Sequence, residues 1–282
     1  MVCIIRWENS AGLLYLCIMH ATGVLEKLPT LGIAPVQYYL CLGDERMLLN
    51  EFIGKPVHLR FTGRIFCSSC GKKTTKSFGD GFCYSCFMSA PESSPCIIHP
   101  ELCRAHLGEG RDPEWEKRHH LQPHYVYLAQ TSDVKVGVTR DTQIPTRWID
   151  QGAAAALLLA ELPYRQLAGE MEVALKAHFS DKTNWVKMLT NEPSVKQLVE
   201  EQQRVRTLLP EALQAYLIPD AQVMAIQYPV PMYPSSVKSI SLDKIPDIQK
   251  KLAGIRAQYL YFDDHSVLNI RKHTGYEVDF SA

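Results

Sequence analysis

Several absences narrow this sequence before any motif is read. No apolar run approaches the ~20 residues that a membrane-spanning helix needs, so no membrane partner is expected. Neither sign of charge is in excess: 30 Lys and Arg stand against 30 Asp and Glu, a formal net charge of zero. That excludes a polyanion binder driven by whole-chain charge, and any nucleic-acid surface has to be a local patch. There is no phosphate-cradling glycine-rich loop, no Gly-x-Ser-x-Gly elbow and no dinucleotide fingerprint. No strong internal repeat or low-complexity segment is present. A basic n-region is missing too: the apolar stretch Ala11 to Met19 is short and follows both Arg6 and Glu8, a poor secretory signal. Met19 stands directly before ordinary domain sequence, so residues 1–18 are expected to be an extension or an over-long start.

What is present is enough to build a core. The chain has 282 residues, 46% of them apolar, which suggests two domains, one carrying an insertion. Nine cysteines are distributed unevenly, with six between Cys67 and Cys103 and with Cys3, Cys17 and Cys41 scattered. Short paired spacings in a chain of this size read as metal ligands kept reduced, and so as a cytoplasmic protein, rather than as a secreted disulfide framework.

Period-two alternation predicts strands over Val36–Leu42 and Val57–Phe66. Residues 91–124 are rich in Pro, Cys and His without a clear period. Strands are then expected at Tyr125–Ala129 and Val134–Val138, joined by the polar turn Gln130–Asp133. Pro145 suits the first turn of a helix starting near Ile144. Ala154–Leu162 reads as a third strand, Leu167–Phe179 as a helix, and Ser194–Tyr216 as helical with a break at Pro210. Leu252–Phe262 and Val267–Arg271 read as strands on either side of the turn Asp263–Ser266. The strands before the cysteines and those after Val223 are expected to pair into one β body, with the rest inserted into it.

The strongest chemical signal is Cys67-Ser-Ser-Cys70, twelve intervening residues beginning with Gly71, then Cys83-Tyr-Ser-Cys86. Each Cys-x-x-Cys places two thiolates on one tight turn, and two facing turns complete the tetrahedron of a structural Zn²⁺. Four cysteine ligands close the coordination sphere, so this ion is expected to hold structure rather than substrate. From Lys55 through Gly79 there are six basic residues and no acidic one. This run reads either as a phosphate-contacting patch or as solvated loops. A second constellation follows, with Cys96, Cys103, His106, His119 and His120. Its expected ligand set is Cys96, Cys103, His106 and one of His119 or His120; the alternative is buried free cysteines beside surface histidines.

Tyr127-Leu128, Lys135-Val136-Gly137-Val138-Thr139, Arg147, Glu172, His178-Phe179 and Trp185 together resemble a divergent branch of the GIY-YIG nuclease superfamily. The likeness covers about a quarter of the chain. It implies a metal-dependent endonuclease fold in which Tyr127 stands near the attacking water, Arg147 steadies the phosphate and Glu172 holds a divalent ion, Mg²⁺ or Mn²⁺. Phosphodiester hydrolysis needs such a cation, a guanidinium fork and a positioned base. The sequence departs from the pattern where Tyr125 replaces the first motif's glycine and Lys135 the second motif's tyrosine, leaving Lys135 or His178 to serve the water. The bland readings are open beside this one: Tyr127 as a core residue, Arg147 paired with Asp150 or Asp181, Glu172 at the edge of an amphipathic helix, Trp148 and Trp185 as packing. The stretch from Cys67 to Trp185 also resembles an uncharacterised bacterial family described only as a domain of unknown function, which carries no activity with it.

The expected architecture is therefore α+β: a β-rich body with an inserted Cys₄ zinc ribbon and a GIY-YIG-like αβ unit. Its segments are an extension over 1–18, β-rich parts over 19–66 and 223–282, a Cys/His-rich zinc region over 67–123, the αβ unit over 124–190 and a helical connector over 191–222. The functional expectation is a zinc protein that engages DNA or RNA, with phosphodiester cleavage as its enzymatic form. The alternatives are a non-catalytic nucleic-acid-binding module and a protein-interaction adaptor whose zinc is purely structural.

Overall fold

The computed structural model describes residues 19–180, 182–192 and 197–282. The expected extension over 1–18, Cys3, Cys17, Asp181 and the first residues of the expected 194–216 helix lie outside them.

Among the described residues, strands from the two ends of the chain share one eight-stranded sheet. His20–Val24 pairs with Tyr276–Ser281, which pairs with Pro56–Phe66, which pairs in turn with Asp247–Arg256, all antiparallel. The sheet continues through Tyr259–Phe262, Ser266–Asn269 and Lys238–Ile240. Alternation drives the pairing: Val57 and Leu59 point into the core while His58 and Arg60 face outward. A three-stranded sheet of Thr30–Leu31, Gln37–Leu42 and Glu45–Leu48 packs beside it. After Phe66 the two-residue strand Lys73–Thr74 pairs back onto Ile65–Phe66 as the eighth strand, and the chain next joins this sheet at Lys238, so most of the cysteine-rich region and the αβ unit are carried as an insertion.

The αβ unit is built on a second antiparallel sheet in which His124–Gln130 is flanked by Val134–Arg140 and Ala155–Leu162, with Met224–Ala225 at the edge. The short helix Thr146–Asp150 lies between the last two long strands, and helix Arg165–Lys176 follows them. Period two again decides which side chain goes where. Val126 and Leu128 join Met171, Leu175 and Val205 beneath the helices, whereas Tyr127 and Ala129 enter the core shared with the β body. The unit is thus sandwiched, and its inner face is continuous with the body.

Three polar locks tie unit to body. Buried Arg256 donates to Gly152 O at 3.2 and 2.9 Å and to Asn191 Oδ1 at 2.7 Å. Gln258 accepts from Leu28 N and donates to Leu28 O and Asp150 Oδ1. Lys27 pairs with Asp150 at 2.7 Å.

Three expectations change. The strand read over Val267–Arg271 ends at Asn269, whose side chain accepts from Lys272 N and caps a 3₁₀ turn over Ile270–His273. Leu252–Phe262 is not one strand: it breaks at Ala257–Gln258, where Ala257 has φ of 55°. No glycine announces this turn, because the tertiary bonds of Gln258 hold it. The segment over 91–124 is a chain of 3₁₀ turns followed by helix Pro113–His120, which Asp112 caps by accepting from Trp115 N at 3.0 Å.

Candidate metal centres and a cation-lined cleft

The two Cys-x-x-Cys turns meet as their spacing requires. The Sγ atoms of Cys67, Cys70, Cys83 and Cys86 all lie within 4.8 Å of one another, a geometry compatible with structural zinc. The first turn is closed by Gly71 N donating to Cys67 O, with Gly71 at φ of 69°. Ser68 N bonds Gly81 O, which brings the second turn alongside, and Cys83 N donates to Cys67 Sγ at 3.1 Å. Burial raises the Cys67 thiol, but backbone amides of Cys70, Cys83 and Ser69 outweigh it and hold its pKa down to about 6. Thiolate is the form that zinc binds.

A second cluster forms from Cys96, Cys103, Glu116 and His120, whose ligand atoms also lie within 4.8 Å of one another. All four residues are buried. Its composition corrects the expected set. His106 stacks on the Tyr164 ring, and His119 stacks on Trp115 with Nδ1 2.7 Å from Trp115 O, so both lie outside the cluster. Glu116, absent from the sequence reading, takes the place. The signal for it was present: Asp112-Pro113 is a cap followed by Pro at N1, and the helix it starts puts residues 116 and 120 on one face.

The residues singled out in the αβ unit converge. Tyr127, Lys135, Arg147 and Glu172 all line one cleft of about 700 Å³ between the cysteine-rich region and the αβ unit. An adjoining pocket of about 350 Å³ shares Arg147 and Glu172 and adds Arg140 and Arg165. The larger cleft sets Lys135, Arg147, Lys176, Lys182 and Arg271 against Asp80, Glu92 and Glu172, so its lining is weighted towards cations even with Asp80 and Arg271 paired at 2.6 Å. His178 lies outside this lining and is exposed.

Tyr127 is fully buried as a residue, with its hydroxyl donating to Gln151 Oε1 at 3.0 Å. Burial raises its pKa, partly offset by the neighbouring Arg147 guanidinium. Gly137 makes room for it, because any Cβ at that position would meet the tyrosine hydroxyl. Gln151 is a cleft residue that sequence reasoning missed; nothing in its local pattern marks it. Glu172 is 9% exposed, and burial raises its carboxyl above the ordinary range. Its Oε2 ion-pairs with Lys176 at 3.3 Å yet accepts no hydrogen bond. The alternative partner for Arg147, Asp150, is engaged by Lys27 and Gln258. Trp148 is packed in the core, and Trp185 stacks against Tyr259.

The basic run is partly spoken for. Arg60 pairs with Asp279, and Arg64 with Glu277, on the neighbouring strand. Lys72, Lys73 and Lys76 are exposed. No described helix is long and apolar enough to cross a membrane.

A protein-family model described as "Protein of unknown function (DUF2797)" matches residues 54–278. No curated protein and no solved structure matches the chain.

Proposed function

We propose, from the premise that this chain belongs to the DUF2797 family, that its cleft engages the phosphodiester backbone of nucleic acid, with cleavage as the activity to be tested first. The observation that carries this reading is the convergence of Tyr127, Lys135, Arg147 and Glu172 on one cleft. They come from two strands and two helices spread over 46 positions (residues 127–172), and cationic Arg140 and Arg165 stand beside them. Guanidinium groups in a recessed site suit phosphate oxygens, which they bind as forks. The likeness to GIY-YIG nucleases supports the same assignment: Arg147 on the phosphate, Tyr127 near the attacking water, Glu172 towards a divalent ion.

The donor set for such an ion is a single carboxylate. Mg²⁺ commonly keeps several waters and takes one or two carboxylates together with substrate phosphates, so Glu172 suffices only if Lys176 moves off it. Bound there, Mg²⁺ or Mn²⁺ would supply charge neutralisation at the phosphate. The present Glu172–Lys176 pair, and Lys135 in place of the motif tyrosine, favour a second reading. In it the cleft binds nucleic acid without cutting it.

The test is a plasmid and RNA nicking assay with Mg²⁺ and with Mn²⁺, on wild type, Arg147→Ala and Glu172→Ala. Nicking that disappears in both variants supports the enzyme. Salt-dependent binding without nicking moves the assignment to the binding module. Absence of both leaves a protein-interaction adaptor with structural zinc.

A further inference from the structure

We propose that Cys96, Cys103, Glu116 and His120 bind a second Zn²⁺, a structural ion that pins the segment over 91–121 against helix Arg165–Lys176.

Donor chemistry is the first argument. Two thiols, a carboxylate and an imidazole are a complete zinc set, and the tetrahedron they form leaves no open position. Zinc bonds of ~2.3 Å to sulfur and ~2.0 Å to nitrogen put neighbouring ligand atoms roughly 3.3–3.8 Å apart. Cys103 Sγ stands 3.5 Å from His120 Nδ1, within that range, and Glu116 is ion-paired to the same nitrogen, a pair that zinc would replace with two metal bonds.

Burial is the second. The Glu116 and His120 side chains are each 3% exposed. Cys96 and Cys103 are buried beside them, and polar groups taken out of water are costly unless something engages them. A divalent ion at their centre would engage all four.

The third argument is what the segment lacks. It runs through short 3₁₀ turns at Pro91–Ser93, Pro95–Ile97, Pro100–Leu102 and Ala105–Leu107, none of which forms a regular hydrogen-bonded ladder. Its own buried apolar cluster, among the described residues, is Cys96, Cys103 and Ala105. Stretches this poor in core are commonly stapled by a metal or disulfides. The four ligands sit where a staple is needed. Cys96 lies on one turn, Cys103 follows the next, and Glu116 and His120 come from the only regular helix of the segment.

The stapled segment then meets the αβ unit closely. Arg165 donates to Cys96 O at 3.0 and 2.8 Å and to Ile97 O at 2.9 Å. Gly169 lets the Pro100–Leu102 turn lie against the helix, since a Cβ there would stand 2.2 Å from Glu101 N. The ion would thereby fix both the wall of the cleft and the direction of Arg165.

Metal content of the full chain tests this. Wild type is expected to carry two zinc ions, and Cys96→Ser/Cys103→Ser one. His106→Ala and His119→Ala are expected to keep two, which separates this ligand set from the one that spacing alone suggests. One zinc in wild type, or two in the double-serine variant, overturns the proposal. Should the double variant fail to fold, Co²⁺ titration of zinc-stripped wild type decides. Two equivalents are expected, one with about half the thiolate charge-transfer intensity of the other, since two sulfurs replace four. A single equivalent refutes the second site.

Discussion

The ring of Tyr127 lies over Gly137 on the neighbouring strand so closely that a Cβ at Gly137 would stand 2.5 Å from the tyrosine oxygen. The hydroxyl is held from the other side by Gln151. Gly137→Ala therefore has to push a fully buried ring off its partner, and overpacking of this kind costs about 1–3 kcal/mol. Thermal unfolding is expected to move down by several degrees. An unchanged midpoint would mean that the ring relaxes freely and that the cleft floor is not set by this contact.

The ribbon's four sulfurs are placed to hold a zinc ion, and in such a site metal binding and folding are coupled. Cys83→Ser is expected to lose one zinc per chain and to open residues 67–86 to proteolysis while the β body stays protected. Mass spectrometry of limited digests, with and without a chelator, reads this directly. Equal cleavage patterns in the two would show that the ribbon holds its shape without the ion.

What the sequence made legible follows from the range of the forces involved. Strand periodicity and the cysteine knuckles are local signals, and both appear where the pattern put them: Pro56–Phe66, His124–Gln130 and Val134–Arg140 are strands, and the four sulfurs of the ribbon meet. The second cluster was half legible. Cys96, Cys103 and His120 were named, but Glu116 belonged to a helix that the sequence reading left without a period, although Asp112-Pro113 marks its start. The turn at Ala257 was invisible because distant bonds to Leu28 and Asp150, not a turn residue, impose it. Gln151 in the cleft was hidden for the same reason.

Glu172 gives a pH signature. Burial raises its carboxyl pKa in the folded state above the unfolded value. In the window between the two, the folded chain holds the proton more often than the unfolded one, so stability falls as pH rises through it. Glu172→Gln removes that cost. It should be more stable than wild type at neutral pH, with the advantage vanishing below the ordinary carboxylate range. Urea midpoints across this range measure it; a variant that is less stable at neutral pH would show that the Lys176 ion pair outweighs desolvation.

If the cleft is the anion site, its arginines and not the ribbon lysines carry the salt dependence. Arg140→Gln and Arg147→Gln are each expected to reduce the slope of log affinity against log salt for duplex DNA by about 1. Lys72, Lys73 and Lys76 are exposed on the ribbon, and neutralising all three should change the slope less than the two cleft arginines together. The reverse ranking would move the nucleic-acid face to the ribbon.

Arg256 is 1% exposed and, among the described residues, has no carboxylate partner; its charge is met by Gly152 O, Asn191 Oδ1 and the faces of Tyr228 and Tyr233 at 4.9 and 5.4 Å. A guanidinium reaches these acceptors as a fork, and neither Met nor Lys reproduces it. Arg256→Met strands the buried Gly152 carbonyl and is expected to cost about 1–3 kcal/mol, with little dependence on pH. Arg256→Lys keeps a cation that is poorly solvated in the same place. Its amine pKa will be depressed in the folded state, so the unfolded chain binds more protons and stability rises with pH through that window. Chemical denaturation at neutral pH and at about pH 9.5 should therefore show the lysine variant recovering at the higher pH relative to the methionine variant. Parallel behaviour of the two would mean that water reaches the site and that the lock between unit and body is not desolvated.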